Sequence, residues 1–209
     1  MLAAGVGLLF DGTARYASRA LLPYLILWLL LKGPAVMAAP LMEAVWLGVG
    51  ELAVLLAGGW ALFATLAKLR SGSVLSFAAG QSGLHIARIM FGVALIPIGL
   101  SHIFYVKQTA ELVPAWLPYR VGWAYLTGVG QIACGIGALV HVSAQFAATV
   151  EAAMLSIFAV LVWAPAVLAD PHSRLAWTAF FITWIIAAGA WLVAANPEPR
   201  GATRWEEGC

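Results

Sequence analysis

The chain is expected to fold as an all-α, polytopic membrane bundle of about six transmembrane helices, and three observations carry that expectation. Of its 209 residues 63% are hydrophobic and only 10% are charged, with a mean hydropathy of +0.94. A soluble domain carries about 25% charged residues, so a fully water-facing surface cannot be assembled from this composition. Apolar runs long enough to cross the hydrocarbon core, which needs roughly 20 residues at 1.5 Å per residue, recur along the chain. These runs are too long for strands and lack two-residue alternation, and in lipid only helices and closed barrels satisfy their own backbone groups.

Bounded by charges, prolines and glycines, the expected spans fall at 17–38, 43–66, 84–105, 120–142, 144–168 and 173–195. Gly, Ser and charge gather in the stretch 67–83, which reads as a linker between two units. Residues 196–209 hold two prolines, three glutamates and two arginines, and are expected to be a disordered tail. Met1 to Phe10 is apolar but has no basic leading region, and is not read as a signal peptide.

The net charge of +2 is small and dispersed, without the Lys/Arg cluster that tracks a phosphate backbone, so nucleic acid is not an expected partner. Cys134 and Cys209 form neither a disulfide framework nor a metal-spaced set, and no metal site is expected. Loop charge sets an orientation. Arg15, Arg19, Lys68, Arg70, Arg88, Arg200 and Arg204 lie on the side of the termini, against Lys32, Lys107, Arg120 and Arg174 on the other, so both termini are expected in the cytoplasm.

The chain also contains an internal similarity. Pro34-Ala35-Val36-Met37-Ala38-Ala39-Pro40 matches Pro165-Ala166-Val167-Leu168-Ala169-Asp170-Pro171, and the same offset relates Trp46 to Trp177, Gly58 to Gly189 and Trp60 to Trp191. Paired Pro and Trp at fixed spacing weigh more than Leu or Ala identities, which any two apolar helices share. The first two spans then repeat the last two. The expected organisation is a half unit at 1–66, a linker at 67–83, a complete four-helix unit at 84–195 and a tail at 196–209. Met1 to Phe10 would be the trailing end of a further helix, and the expectation follows that the reading frame extends upstream or that a relative carries the missing pair.

Four polar residues at membrane depth are candidates for a ligand site. Arg88, about four residues into the third span, has two readings: snorkelling to the headgroups or an internal partner. His102 sits near the far end of that span, where imidazole is either solvated at the interface or available as a proton carrier or a donor to a quinone oxygen. Gln131, about eleven residues into the fourth span, must find partners as a helix-to-helix contact or on a ligand. Glu51 lies well inside the second span, where a carboxylate is costly and is by default a functional-site hypothesis. Its counterpart in the repeat is Ile182, so the architecture alone does not demand an acid. Glu151, near the start of the fifth span, can be wet and ranks below Glu51. The segment from Lys107 to Pro118 is too polar to span, and Trp116 between Pro114 and Pro118 fits an interfacial or re-entrant loop. The many glycines read as helix-packing positions.

The order of these motifs resembles the DoxX family of bacterial and archaeal integral membrane proteins. An Arg near a helix start (Arg88) is followed by a Gly-x-x-His step (Gly99 to His102), a Pro-x-aromatic-Leu-Pro turn (Pro114 to Pro118), and a Thr-Gly-x-x-acid motif in the next helix. The last appears here as Thr127-Gly128-Val129-Gly130-Gln131. Ile103 stands where the family usually has Phe, and Gln131 where many members have Glu, which weakens a proton-handling role at that position. Some DoxX-like proteins are subunits of thiosulfate:quinone oxidoreductase and others belong to membrane redox complexes, while most lack an assigned activity.

The resemblance therefore implies a quinone-adjacent subunit of a membrane redox complex in a bacterial-type inner membrane. His102, Gln131 and Glu51 would line a small polar site, with the bilayer and redox-complex subunits as partners. No cofactor is evident from the residues, with quinone the one the resemblance suggests, and no nucleophile motif specifies an enzymatic reaction. Two other classes stay open: a small-solute or proton transporter and a purely structural membrane scaffold. A direct repeat of an even-numbered unit keeps its orientation, so an inverted-repeat transporter is disfavoured.

Overall fold

The computed structural model describes residues 2–67, 75–140 and 144–196. Residues 68–74 of the expected linker and nearly all of the expected tail, including Cys209, lie outside them. The described residues are all-helical, without strands. In chain order they form α1 (Leu2–Leu8), α2 (Asp11–Leu30), α3 (Gly33–Ala38), α4 (Glu43–Leu66), a 3-10 turn at Ser76–Ala78, α5 (Gly80–Phe104), α6 (Val106–Leu112), α7 (Arg120–Leu139), α8 (Ala144–Phe158), a π turn at Ala159–Trp163, α9 (Ala164–Ala169) and α10 (Arg174–Ala194).

Five helical stretches among the described residues are long and apolar enough to cross a membrane: Asp11–Ala38, Glu43–Leu66, Gly80–Phe104, Ala144–Ala169 and Arg174–Ala194. The sixth expected span is α7, whose 20 residues give roughly 30 Å of helix. Its Arg, Tyr, Thr and Gln make it less apolar than the others. The third expected span begins earlier than its apolar run, at Gly80, whose positive φ of 59° suits glycine.

Proline shapes both long two-part spans. Pro165 lacks an N–H and its ring crowds the carbonyl four residues back, so the helix cannot continue as a regular α-helix there. The chain widens instead: Ala164 N–H donates to Ala159 O, five residues back, which is the π turn. At the matching place Pro34 follows a break between α2 and α3. The correspondence continues downstream. Trp46 Nε1 donates to Pro40 O at 2.8 Å and Trp177 Nε1 donates to Pro171 O at 2.9 Å, each tying the start of a long helix to the turn before it.

At the centre, α4 and α10 run parallel and pack at Gly58 and Gly189. A Cβ on Gly58 would lie 2.5 Å from Gly189 Cα. Beside this pair α5 packs against α4 and α7, α8 against α10 and α7, and α2 against the outer side of α4. The α5–α7 seam closes at two glycine pairs, Gly92 with Gly135 and Gly99 with Gly128, where each glycine's missing Cβ would meet the other's carbonyl. In lipid, where apolar surface gains little by association, close backbone contact of this kind supplies the packing energy.

Large apolar side chains point outward all round, among them Met37, Leu41, Leu168 and Leu175, each at least three-quarters exposed. The C-termini of the two central helices are capped by arginines. Arg19 donates to Ala67 O at 2.5 Å and Arg88 to Asn196 O at 3.0 Å, placing cations at the negative ends of α4 and α10.

Candidate functional site

The opposite end of the bundle is hollow. A cavity of about 960 Å³ opens between α5, α7, α8 and the π turn, with α4 and α10 at its back and the 113–117 segment at its rim. Leu47, Ile98, Leu126, Met154, Phe158 and Ile186 make most of its wall apolar, and Trp116, Trp123 and Trp163 stand around it.

The polar groups of the wall include Glu51, Ser101, His102, Thr127, Gln131 and Thr183. Three of the four candidate residues, His102, Gln131 and Glu51, are thus brought to one cavity from three different helices. The fourth, Arg88, is not among them. It is 3% exposed at the far end and donates to Asn196 O, an internal partner. Pro114 and Trp116 reach the cavity rim, whereas Pro118 does not line it. Trp116 is 70% exposed. The segment is not wholly a loop, since α6 occupies its first part. Tyr105, just before α6, accepts a hydrogen bond from Ala44 N–H at 3.2 Å and so ties this region to the start of α4.

His102 owes its position to glycine. Gly128 lies opposite it on α7, and a Cβ there would come within 2.8 Å of both His102 Cβ and Gly99 O. One residue earlier, Thr127 Oγ1 sits 2.8 Å from His102 Nδ1. The threonine also has backbone carbonyls in reach, Trp123 O at 3.0 Å and Ala124 O at 3.1 Å. Its single hydroxyl hydrogen serves one of these carbonyls or Nδ1, so the direction of the His102–Thr127 hydrogen bond follows the imidazole tautomer.

Gly128→Ala should therefore push α5 from α7 and break the His102–Thr127 contact, at about 1–3 kcal/mol. Imidazole ¹⁵N shifts with His102 labelled would report the loss of that hydrogen bond, and unchanged shifts would refute it.

Gln131 lies one helical turn beyond Thr127 on the same face and, at 1.5 Å per residue, roughly 16 Å inside α7. Its Nε2 donates to Glu151 Oε1 at 3.2 Å. Glu151 is 0% exposed and Gln131 1%, so the expectation that Glu151 is wet is wrong: α8 begins against α7, and its second turn faces the core. An acid thus stands beside Gln131, contributed by the neighbouring helix. Only the pairing of α7 with α8 brings them together. Gln131 Oε1 and Glu151 Oε2 are buried without a hydrogen-bond partner among the described residues.

Glu51 sits about two turns into α4 and lines the cavity. Gly48, one turn below, makes the room: a Cβ there would lie 3.1 Å from Lys32 Nζ. Among the described residues no group of three or more His, Cys, Asp or Glu side chains could hold a metal ion.

Fold and cavity together define, among the described residues, an all-helical protein with five helices able to cross a membrane and a largely apolar chamber with a few polar groups in its wall. Residues 91–194, about half the chain and the part containing α7 through α10, are similar to the family described as "Domain of unknown function (DUF8561)". No curated protein matches the chain, and no solved structure does.

Proposed function

We propose that the protein is a multi-pass membrane protein that binds an amphiphilic ring compound of the quinone–hydroquinone class, as a quinone-adjacent subunit of a membrane redox complex. The observation that carries this reading is the cavity itself. An apolar wall of this size suits a ring with a hydrocarbon tail, and the wall carries a few converging polar groups. Such a ligand's redox chemistry is its own. The chain supplies the apolar chamber, the orienting contacts from His102, Gln131 and Glu51, and rim aromatics at the depth where Trp resides in bilayers.

The outward apolar side chains and the five long apolar helices support a bilayer as the surrounding solvent, with α7 as a sixth crossing. The reading places the protein in a bacterial-type inner membrane with both termini in the cytoplasm, so that the cavity opens on the opposite face. The matched Pro breaks, the two Trp-to-Pro contacts and the Gly58–Gly189 pairing support a duplicated α2–α4 and α8–α10 unit. The DoxX-like motif order fits the same picture: its Arg caps α10 and its Gly, His and Thr residues build the α5–α7 seam.

Trp116, Trp123 and Trp163 make the test direct. Titration of detergent-solubilised protein with decylubiquinone should quench tryptophan fluorescence saturably, and His102→Ala should weaken the binding about tenfold. Absence of saturable quenching, together with no quinone in the organic extract of the purified protein, would refute the proposal. Solute flux in proteoliposomes would favour a transporter instead.

A further inference from the structure

We infer that the cavity opens sideways into the bilayer, through a slot between α7 and α8 flanked by Leu126 and Ile157, and that its ligand enters there and keeps its hydrocarbon chain in the slot. This rests on the reading of the cavity as a quinone-class site. It assigns the route of entry and makes the two slot residues determinants of which tails the site accepts.

The slot follows from how the helices are held. Helix α7 is fastened to α5 by the glycine pairs Gly92–Gly135 and Gly99–Gly128. Helix α8 is fastened to α10, where Trp191 Nε1 donates to Ser156 Oγ at 3.1 Å. The antiparallel α7 and α8 meet near the end of the first and the start of the second: a Cβ on Gly137 would lie 3.2 Å from Ala147 Cβ, and Gln131 reaches Glu151. Continuing that register places Leu126 level with Ile157 and Trp123 level with Leu161. All four line the cavity, and all four are also exposed on the outside of the bundle, Leu126 at 60% and Ile157 at 52%. Facing side chains that belong to both surfaces mark a gap in the wall. The π turn begins at the same level, at Ala159, so the departure of α8 from regular geometry falls where the slot is.

Depth decides what the slot meets. Ile157 lies near the middle of the Ala144–Ala169 span, roughly 18 Å of helix from its nearer end. With a hydrocarbon core of roughly 30 Å, that position faces acyl chains and not water. Behind the slot Phe158 stands against His102, their ring centroids 6.0 Å apart. A ring that passes Leu126 and Ile157 therefore meets an aromatic face and then the imidazole, while its chain trails back toward the lipid. The chain gains little energy from the slot, because lipid is as apolar as the protein wall. What the slot contributes is room, and selection there is steric.

The experiment compares decylubiquinone with the same ring lacking the decyl chain, each titrated into the full-length protein in lipid nanodiscs and followed by tryptophan fluorescence. Leu126→Trp/Ile157→Trp fills the slot. Val129→Trp/Val160→Trp is the control, since both valines are exposed on the same two-helix surface and neither lines the cavity. The slot pair should weaken decylubiquinone about tenfold or more relative to the tail-less ring, because an obstructed slot clashes with the chain and not with the ring. The control pair should leave the ratio of the two affinities unchanged, and partitioning into the bilayer cancels in that ratio. Leu126→Phe, a milder obstruction at a lipid-facing position, should shift the ratio in the same direction and decides the matter if the tryptophan pair does not fold. An unchanged ratio in the slot variants, an equal change in the control pair, or binding of the tail-less ring alone by the wild type overturns this inference and leaves the quinone-class reading standing. Binding of neither ligand by the wild type overturns both.

Discussion

Gly58→Leu is expected to disrupt the bundle more than any other single substitution. Helices α4 and α10 meet at this residue and Gly189, and even a methyl group on Gly58 would fall 2.5 Å from the facing Cα and 2.8 Å from the facing carbonyl oxygen. The obstacle is backbone, which has no rotamer to move away, so the two helices must separate. That separation forfeits van der Waals contacts along the central seam, where Val54, Ala57, Ala187 and Ala190 are all fully buried. A loss of about 3 kcal/mol or more is expected. Gly130→Leu is the control, since nothing lies within 4 Å of a Cβ there. Thermal unfolding in detergent should show a large fall in Tm for the first and little for the second. Equal melting temperatures for Gly58→Leu and wild type would show that α4 and α10 do not pack at these glycines.

Gln131→Leu is expected to be the second most damaging change, and to be partly repaired by a further substitution. Alone, it strips the amide donor from the fully buried Glu151 carboxyl, and leaving a buried polar group unsatisfied costs about 1–3 kcal/mol, more for a charged group. Glu151→Leu should cost less, about 1–3 kcal/mol, because the survivor is a neutral amide. The Gln131→Leu/Glu151→Leu double variant should be more stable than Gln131→Leu, since no polar group is then left stranded. The three unfolding midpoints form a double-mutant cycle, and additive losses would show that the two side chains do not interact.

About half of the site is legible in the sequence. His102, Gln131 and Glu51 stand out because polar groups at membrane depth are expensive whatever the fold, and that cost can be read from position within an apolar run. Glu151 escapes the same reasoning when it is applied too simply. A residue eight positions into a helix, which reads as wet by distance from the helix start, is dry when the next helix covers it. Arg88 and His102 share α5 and, as sequence, suggest one site. Fourteen residues of helix separate them by roughly 21 Å, and they serve opposite ends of the bundle. Thr127 and Gly128 have no evident task in the sequence, and theirs becomes clear only when α5 lies against them: one is hydrogen-bonded to the imidazole and the other makes room for His102.

By itself, then, the sequence determined the all-helical class and the near-register of six apolar segments. It also paired Pro34 with Pro165 and identified the few polar residues that a membrane would not tolerate without cause. These are local properties, set by side-chain solubility and by what proline denies the backbone. The tertiary structure alone decided which helices touch, and therefore that Gln131 meets Glu151, that Arg88 caps α10, and that three separated polar residues share one cavity. Those outcomes depend on close approach between backbones at paired glycines, and a glycine's own neighbourhood in the chain does not say which other glycine it will meet.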